Sequence, residues 1–331
     1  MKDIADLAGV TKQTVSNVIN RPEVVDPRTR QRIETLIGEL GYRPNLLARG
    51  LATGRTMMVG LIVPNLSNPF YAGLVEAIVR RLGEDAYHLV LCTTGGDPAQ
   101  VEHQLGILDR RSVDGLLVAD HAVLDRLETL ERLALPTVFC SWEFAVPEGE
   151  VGVTYDFAAS GRLAAQHLLE LGHSQIAVIA SLPEHQRRLA GVYEALEAAG
   201  EPLPPHRLRV TEGTTVADAR DVAEVMLREQ PEITGVIALH DLGAVGVLDA
   251  ARAAGRPVPA SLSLVSIDDS RAAWDARPAL TSVALPKIKL AGVAVTQLLA
   301  HVRDRSLRSD RVTLIEPHLV TRSSAARPAL R

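Results

Sequence analysis

The sequence has 331 residues, which is too long for one ordinary domain and suits a small module joined to one or two larger ones. Hydrophobic residues make up 47% and aromatic residues only 3%, which excludes a disordered chain and predicts a core of Leu, Val, Ala and Ile. The net charge of −5 excludes a strongly basic protein, but residues 1–55 carry nine Lys or Arg against six Asp or Glu. A basic end on an acidic body is typical of proteins that present one surface to phosphates, although chance explains so short a segment equally well.

Cysteine usage and hydropathy argue against a disulfide scaffold and against a membrane protein. Cys92 and Cys140 both lie inside apolar runs typical of strands, which predicts buried, reduced thiols. No apolar run is long enough to cross a bilayer, and the first residues contain no apolar signal stretch. We therefore expect a soluble cytoplasmic protein. The scattered spacing of the ten histidines predicts no metal site, and no cofactor is expected.

Residues 1–44 predict three helices and no strand. The first helix covers about 3–7 and stops at Gly9, because glycine tolerates the left-handed conformation that ends many helices. Thr11 is placed to cap a second helix over 12–20, and Asp26 is placed to cap a third over 27–40. This spacing is typical of a helix-turn-helix domain. The apolar side chains expected to face inward are Ile4, Leu7, Ala8, Val15, Val18, Ile19, Ile33, Leu36, Ile37 and Leu40.

The outer face of the second helix is short, polar and rich in amide groups. Lys12, Gln13 and Asn17 have the chemistry that base edges in a major groove require, since Gln and Asn suit adenine and Lys suits guanine. Ser16 and Asn20 complete this face, and hydroxyl groups suit phosphate oxygens. The alternative is a three-helix bundle whose polar face is merely solvated, and the spacing favours DNA binding over that alternative.

From residue 57 onward the pattern alternates between strands and helices. Continuous apolar runs, typical of parallel strands buried on both faces, begin near residues 57, 88, 114, 136, 175, 235 and 262. Amphipathic stretches lie between them, over 70–84, 99–110, 158–171, 184–199, 217–229 and 242–254. Asn68, Asp156 and Asp241 stand where helix caps are expected. Two further strands, 280–286 and 312–321, flank a last helix near 288–301. So many strands predict two α/β lobes, with a tail that returns across both.

Short motifs follow one another in a distinctive order along nearly the whole chain. AxxAGVxxxTVSxVxN is followed by VxPxTR, ELGYRPN, LATGRT and VGLIVPNLSNPF, and later by VDGLLVA, HLLELGHSQIAVI, HDLGAVG and SIDDS. In order and spacing they resemble the lactose-repressor (LacI) family of bacterial regulators. The resemblance implies an all-α helix-turn-helix headpiece over 1–44 and a hinge helix over 45–56. It also implies that 57–331 form a core of two doubly wound α/β lobes similar to periplasmic sugar-binding proteins.

The resemblance assigns DNA-contacting roles to the headpiece. The base-reading positions fall on Lys12, Gln13 and Asn17. Asn17 departs from the Arg that is common in relatives, so the operator sequence cannot be transferred from them. The positions that match phosphate contacts are Thr14, Ser16, Asn20 and Thr29.

In the family, the junction forms a hinge helix only on DNA and inserts a leucine into the minor groove. The matching residue is Leu51, next to the basic Arg49. Gly50 is unusual inside such a helix and costs about 1 kcal/mol relative to Ala, which predicts a weak, DNA-dependent hinge helix. The alternative is a linker leucine that packs against the body.

The resemblance places an effector between the lobes. Lobe one is expected at about 57–156 and 281–312, and lobe two at about 157–280 and 313–325. Ser141-Trp142 stands where the family often has Asp-Arg, and His240 where it commonly has Asn, so the effector's identity stays open. Arg188 and Asp268 would clamp vicinal hydroxyls, unless they form a structural ion pair. The effector positions are Phe70, Tyr71, Trp142, Arg188, His240 and Asp268.

Together these features predict a sequence-specific DNA-binding regulator of transcription, a repressor in most relatives, controlled by a sugar or related metabolite. We expect a homodimer on a pseudo-palindromic operator, paired through the first lobe near 70–84. Two alternatives are a sugar-binding protein and a regulator without a small effector. An enzyme is not expected, because no nucleophile elbow, phosphate loop or dinucleotide fingerprint occurs in the sequence.

Overall fold

The computed structural model describes residues 1–20, 22–41, 55–108, 112–307 and 312–328. They form two compact units, the first up to Met57 and the second from Met58 onward. Arg49 and Leu51, together with most of the predicted hinge, lie outside the described residues. Within the described ranges, no helix is both long and apolar enough to span a membrane.

The first unit contains the predicted helix-turn-helix. Helices α1 (Lys2–Ala8), α2 (Lys12–Asn20) and α3 (Pro27–Glu39) surround a small apolar core, with a 3₁₀ turn at Pro22–Val24. Gly9 ends α1 in the left-handed conformation with φ 59°, as its sequence position predicts. Asp26 caps α3 by accepting a hydrogen bond from the Thr29 amide at 3.1 Å.

Two inward-facing predictions in this unit are wrong. Leu7 is 63% exposed because α1 buries the face formed by Ile4, Ala5 and Ala8, from which Leu7 points away. Leu40, the C-cap residue of α3, is 49% exposed although its backbone is still helical.

The strands of the first sheet in the second unit are β1 (Met58–Val63), β2 (His88–Thr93), β3 (Gly115–Val118), β4 (Thr137–Cys140), β5 (Val151–Tyr155) and β11 (Val312–Ile315). Their order in the sheet is β11-β5-β4-β3-β1-β2, and all the pairs are parallel. The central strands β3 and β4 are buried at every residue, as expected of a parallel sheet covered on both faces. The helices are α4 (Pro69–Glu84), α5 (Pro98–Ile107), α6 (Leu127–Leu133) and α12 (Lys287–Arg303), with a 3₁₀ segment at His121–Arg126.

The strands of the second sheet are β6 (Ile176–Ser181), β7 (Leu208–Thr211), β8 (Gly235–Ala238), β9 (Ser263–Asp268), β10 (Thr281–Ala284) and β12 (His318–Val320). Their order in the sheet is β12-β10-β9-β8-β6-β7, and all are parallel except β12, which runs antiparallel to β10. Its helices are α7 (Phe157–Glu170), α8 (Gln186–Ala198), α9 (Val216–Glu229), α10 (Asp241–Ala253) and α11 (Arg271–Asp275), with a 3₁₀ turn at Pro205–Arg207. Strands β5 and β7 were not among the predicted ones.

The chain crosses between the lobes three times, and this corrects the predicted lobe boundaries. Residues 281–284 were expected in lobe one but form β10, which pairs with β9 in the second sheet. The single strand predicted over 312–321 is in fact two strands, one in each sheet. Pro317 lacks an amide hydrogen and so cannot continue a strand ladder between them. Hydrophobicity identifies strands but does not reveal which sheet a strand joins.

Helices α7 and α8 approach unusually closely at two glycines. A Cβ added at Gly161 would lie 1.9 Å from the main-chain oxygen of Arg188, and one at Gly191 would lie 1.9 Å from that of Ala158. Only glycine therefore permits this crossing. The contact fixes the backbone of Arg188, which proves central to the site.

Candidate functional site

The exposed face of α2 carries the predicted base-reading side chains. Lys12 and Gln13 are exposed, and the Gln13 side-chain amide donates to Asn17 Oδ1 at 3.1 Å, so the two amides lie side by side one turn apart. Thr11 caps the helix by accepting from the Thr14 amide at 3.1 Å, and their hydroxyl oxygens are 2.9 Å apart. The helix has no acidic residue in its first turn, which leaves its N-terminus favourable to anions.

The structure describes the side chains of three of the four residues predicted to contact phosphates. Thr14 and Ser16 lie on α2, and Thr29 lies in the first turn of α3, where its hydroxyl donates to Asp26 at 3.3 Å. A helix N-terminus is a favourable position for a phosphate. The side chain of Asn20, like Arg49 and Leu51, lies outside the described residues.

All six predicted effector positions line one cavity of about 300 Å³ in the second unit. Its wall is built from segments that follow the carboxyl ends of strands in both sheets, which is where open α/β sheets bind ligands. These predicted residues are Phe70, Tyr71, Trp142, Arg188, His240 and Asp268.

Phe70 and Tyr71 enter the cavity wall from the start of α4. Asn68 caps this helix by accepting from the Phe70 amide at 2.9 Å, which confirms the predicted cap. The two rings meet edge to face, with centroids 5.3 Å apart. Burial raises the pKa of Tyr71 above its ordinary value, so this phenol remains a neutral hydrogen-bonding group.

Trp142 forms a wall and does not offer its indole N–H to the cavity. Its ring is 2% exposed and packs edge-on against Phe139, and its Nε1 donates to the Ala145 oxygen at 3.1 Å. Ser141, in the left-handed region with φ 53°, bends the chain just after β4. The geometry therefore favours a role for Trp142 in covering the cleft, since its N–H group is already bonded within the protein.

Arg188 is the electrostatic centre of the cavity. Its Nη1 donates to Asp268 Oδ1 at 2.9 Å and to the Leu239 oxygen at 2.7 Å, and its Nε donates to Glu143 Oε2 at 3.0 Å. The guanidinium lies over the Phe157 ring, 4.9 Å from its centroid. Arg188 and Asp268 therefore do form a buried ion pair, and Glu143 is a third member that the sequence reasoning missed.

Glu143 comes from lobe one, whereas Arg188 and Asp268 belong to lobe two. A second hydrogen bond runs from the Arg188 main-chain amide to Glu143 Oε1 at 3.2 Å, so each carboxylate oxygen of Glu143 accepts one hydrogen bond from Arg188 across the cleft. Burial raises the pKa of Glu143 to about 7, against the opposing influence of Arg188. The sequence did contain one signal for Glu143, since it is an acidic residue soon after the end of a buried strand. It also follows Ser141 by two positions, and Ser141 stands where relatives often have Asp.

His240 has a structural role that corrects one prediction. Its Nδ1 accepts from the Gly243 amide at 3.1 Å, so the cap of α10 is His240 and not Asp241. Asp241 is buried and accepts from the hydroxyls of Ser266 and Ser282. Burial, together with Arg188, lowers the pKa of His240 to about 3, so the ring is neutral.

His185 lies beside His240, with ring centroids 5.0 Å apart, and was not predicted as a site residue. Its Nδ1 accepts from the Ser181 amide at 3.2 Å, and burial holds its pKa well below the ordinary value. Because both rings accept at Nδ1 and stay neutral, each carries its proton on Nε2. The site therefore contains two neutral imidazole N–H donors.

Asp268 is held in an uncommon backbone conformation, with φ 119°. Its main-chain oxygen accepts from Lys287 Nζ at 2.7 Å, and the Lys287 ammonium lies over the Phe70 ring, 4.9 Å from its centroid. Lys287 begins α12, which packs in lobe one, so this contact is a second link across the cleft.

Comparison with known proteins finds relatives of both parts of the chain. Residues 1–45 match the family described as bacterial regulatory proteins, lacI family, and residues 165–325 match the periplasmic binding protein-like domain. The transcriptional regulator CelR of Thermobifida fusca is 36% identical, over 97% of this chain and 96% of its own. The ribose operon repressor of Escherichia coli K12 is 33% identical, over 98% and 99%.

The chain belongs to the LacI family. Solved structures agree: a lac repressor dimer bound to operator and the anti-inducer ONPF matches with a TM-score of 0.85, at 25% identity over 98% of both chains. A CelR–cellobiose complex matches with a TM-score of 0.75, at 32% identity over 97% of this chain and 98% of that one. This LacI-family chain is therefore a DNA-binding regulator of transcription, and the family is not one of enzymes.

Proposed function

We propose that this LacI-family protein is a cytoplasmic repressor that reads its operator through α2. Lys12, Gln13 and Asn17 contact base edges, and the phosphate contacts come from Thr14, Ser16, Asn20 and Thr29. The observation that supports this assignment is the exposed face of α2, where the Gln13 and Asn17 amides lie side by side without an acidic neighbour in the first turn. The proposed hinge spans 45–56, with Leu51 and Arg49 at the minor groove.

We further propose that the protein acts as a homodimer. A single α2 covers only a half-site, so two copies are needed on a pseudo-palindromic operator. Helices α4 and α12 pack against each other and expose apolar side chains in lobe one, with Val79 49% and Ile288 71% exposed. This surface supports pairing through the first lobe.

The effector in this proposal is a sugar or related metabolite bound in the cavity around Arg188. One relative was solved with cellobiose, and another LacI-family regulator with ribose. The cavity supplies what a polyhydroxylated ligand requires, namely aromatic walls, two neutral imidazoles and a carboxylate–guanidinium cluster. Because its walls come from both lobes, a bound ligand would shift their relative positions and so the hinge.

Operator binding tests the proposal directly. Fluorescence anisotropy with fragments of the promoter of the protein's own gene should give a specific complex whose affinity falls steeply with salt. A bound sugar should change that affinity. Absence of a specific complex at low and moderate salt would reject the regulator as proposed, whatever the cleft binds.

A further inference from the structure

The positive charge of the effector cleft is already neutralised by the protein itself. Arg188 donates to carboxylates from both lobes, Glu143 at 3.0 Å and Asp268 at 2.9 Å, and its side chain is only 8% exposed. A second cation, Lys287, donates to the main-chain oxygen of Asp268 and lies over the Phe70 ring. Neither cation faces the cavity without a partner.

The remaining ionisable groups of the cavity wall add negative charge. Glu184 and Glu212 both line the cavity, and the nearest base to Glu184 is His121, 3.7 Å away across the cleft. The other two histidines of the wall, His185 and His240, are neutral because burial lowers their pKa values. Among the described lining residues, four carboxylates therefore face one guanidinium.

We infer that this cleft takes an uncharged or cationic polyhydroxylated effector, and that Glu143 is the residue that excludes phosphorylated and carboxylated ones. The inference rests on the proposed role of the cavity as the effector site. An anion at Arg188 Nη2, which donates to none of the described residues, would meet a guanidinium that Glu143 and Asp268 already neutralise, in a site that carries excess negative charge. A hydroxyl group, or an amine, meets carboxylate acceptors and imidazole donors with no such conflict.

A matched series of sugars tests the charge preference by thermal shift, without DNA. The probes are ribose with ribose 5-phosphate, and glucose with glucosamine, gluconate and glucose 6-phosphate, each against sodium chloride at equal ionic strength. We expect stabilisation of the wild type only from uncharged or amino members, with the anionic members weaker by about tenfold or more in apparent affinity. Stronger stabilisation by a phosphate or carboxylate member overturns the inference.

The Glu143→Ala variant tests the role of Glu143 independently of which sugar binds. Removal of the carboxylate empties the anion position beside Arg188, so acetate or formate should raise the melting temperature of the variant by about 2 °C or more over chloride, and leave the wild type unchanged. Glu148→Ala, which removes an exposed carboxylate from the same loop, is the control and should show no acetate effect.

Each outcome of the second experiment has a defined meaning. If no sugar stabilises the wild type, the acetate experiment alone tests the inference. Failure of acetate to raise the melting temperature of Glu143→Ala then overturns it. If Glu143→Ala does not fold, Glu143→Gln replaces it: this variant keeps the side-chain shape but removes the negative charge, so the anionic sugars should stabilise it more than they stabilise the wild type, and failure to do so overturns the inference. Failure of operator binding would refute the proposed function, but it leaves these DNA-free measurements interpretable.

Discussion

Replacing Arg188 with methionine should destabilise the second unit strongly and in a pH-dependent manner. The substitution leaves Glu143 and Asp268, with side chains 8% and 4% exposed, as two buried carboxylates without their shared cation. Removing one partner of a buried ion pair costs about 3–5 kcal/mol, and we expect a loss of that size at about pH 8.

The direction of the pH effect follows from the carboxylate. The pKa of Glu143 is raised from 4.5 to about 7 in the folded protein, so between these values the folded state binds more protons than the unfolded state. Lowering the pH through this window therefore favours the folded state, and more so when Arg188 no longer holds the carboxylate ionised. At about pH 5.5 the loss caused by Arg188→Met should shrink to roughly half.

Urea unfolding at the two pH values, followed by circular dichroism, measures both quantities. The control is Arg252→Met, which removes an exposed arginine paired with Asp249 on α10 and should cost less than about 1 kcal/mol at either pH. A loss from Arg188→Met that is below about 1 kcal/mol, or that is equal at both pH values, would refute the electrostatic reasoning.

Three further predictions concern the two sites and their support. Gln13→Ala should change base preference, whereas Thr29→Ala should weaken binding to all sequences alike; equal sequence-blind losses in anisotropy titrations would contradict these roles. Gly191→Ala should lower the free energy of unfolding by about 3 kcal/mol or more, because its Cβ would meet a carbonyl oxygen. The control Gly83→Ala, with open space around it, should be neutral or stabilising in the same urea assay. Asp268→Asn should abolish the response to effector while operator affinity is retained, and an unfolded variant by circular dichroism would instead make Asp268 purely structural.

The elements that local chemistry determines were predictable from the sequence. Gly9, Asp26 and Asn68 end or begin helices through their own backbone or side-chain chemistry, and all three are found in those positions. Continuous apolar runs at the centre of each sheet became buried parallel strands because both faces of the sheet are covered there. The six effector positions were assigned by the family resemblance, and they lie around one cavity because the carboxyl ends of parallel strands meet at the same edge of a sheet.

What could not be predicted depends on partners distant in sequence. Whether residues 281–284 join the first or second sheet is decided by pairing with β9, which hydrophobicity does not encode. Glu143 acquires its role only because α8 places Arg188 opposite it, 45 residues away along the chain. His240 rather than Asp241 caps α10 because buried serines from β9 and β10 already engage the aspartate.

The three crossings between the lobes also govern the order in which the body becomes complete during synthesis. Lobe one begins at β1 but lacks its edge strand β11 and the covering helix α12 until residues 287–315 have left the ribosome. Until then, the buried faces of β3, β4 and β5 that contact α12 stay exposed. A ribosome that stops near residue 286 would therefore release a chain with an intact operator-reading headpiece and an unfinished first lobe, a species prone to aggregation.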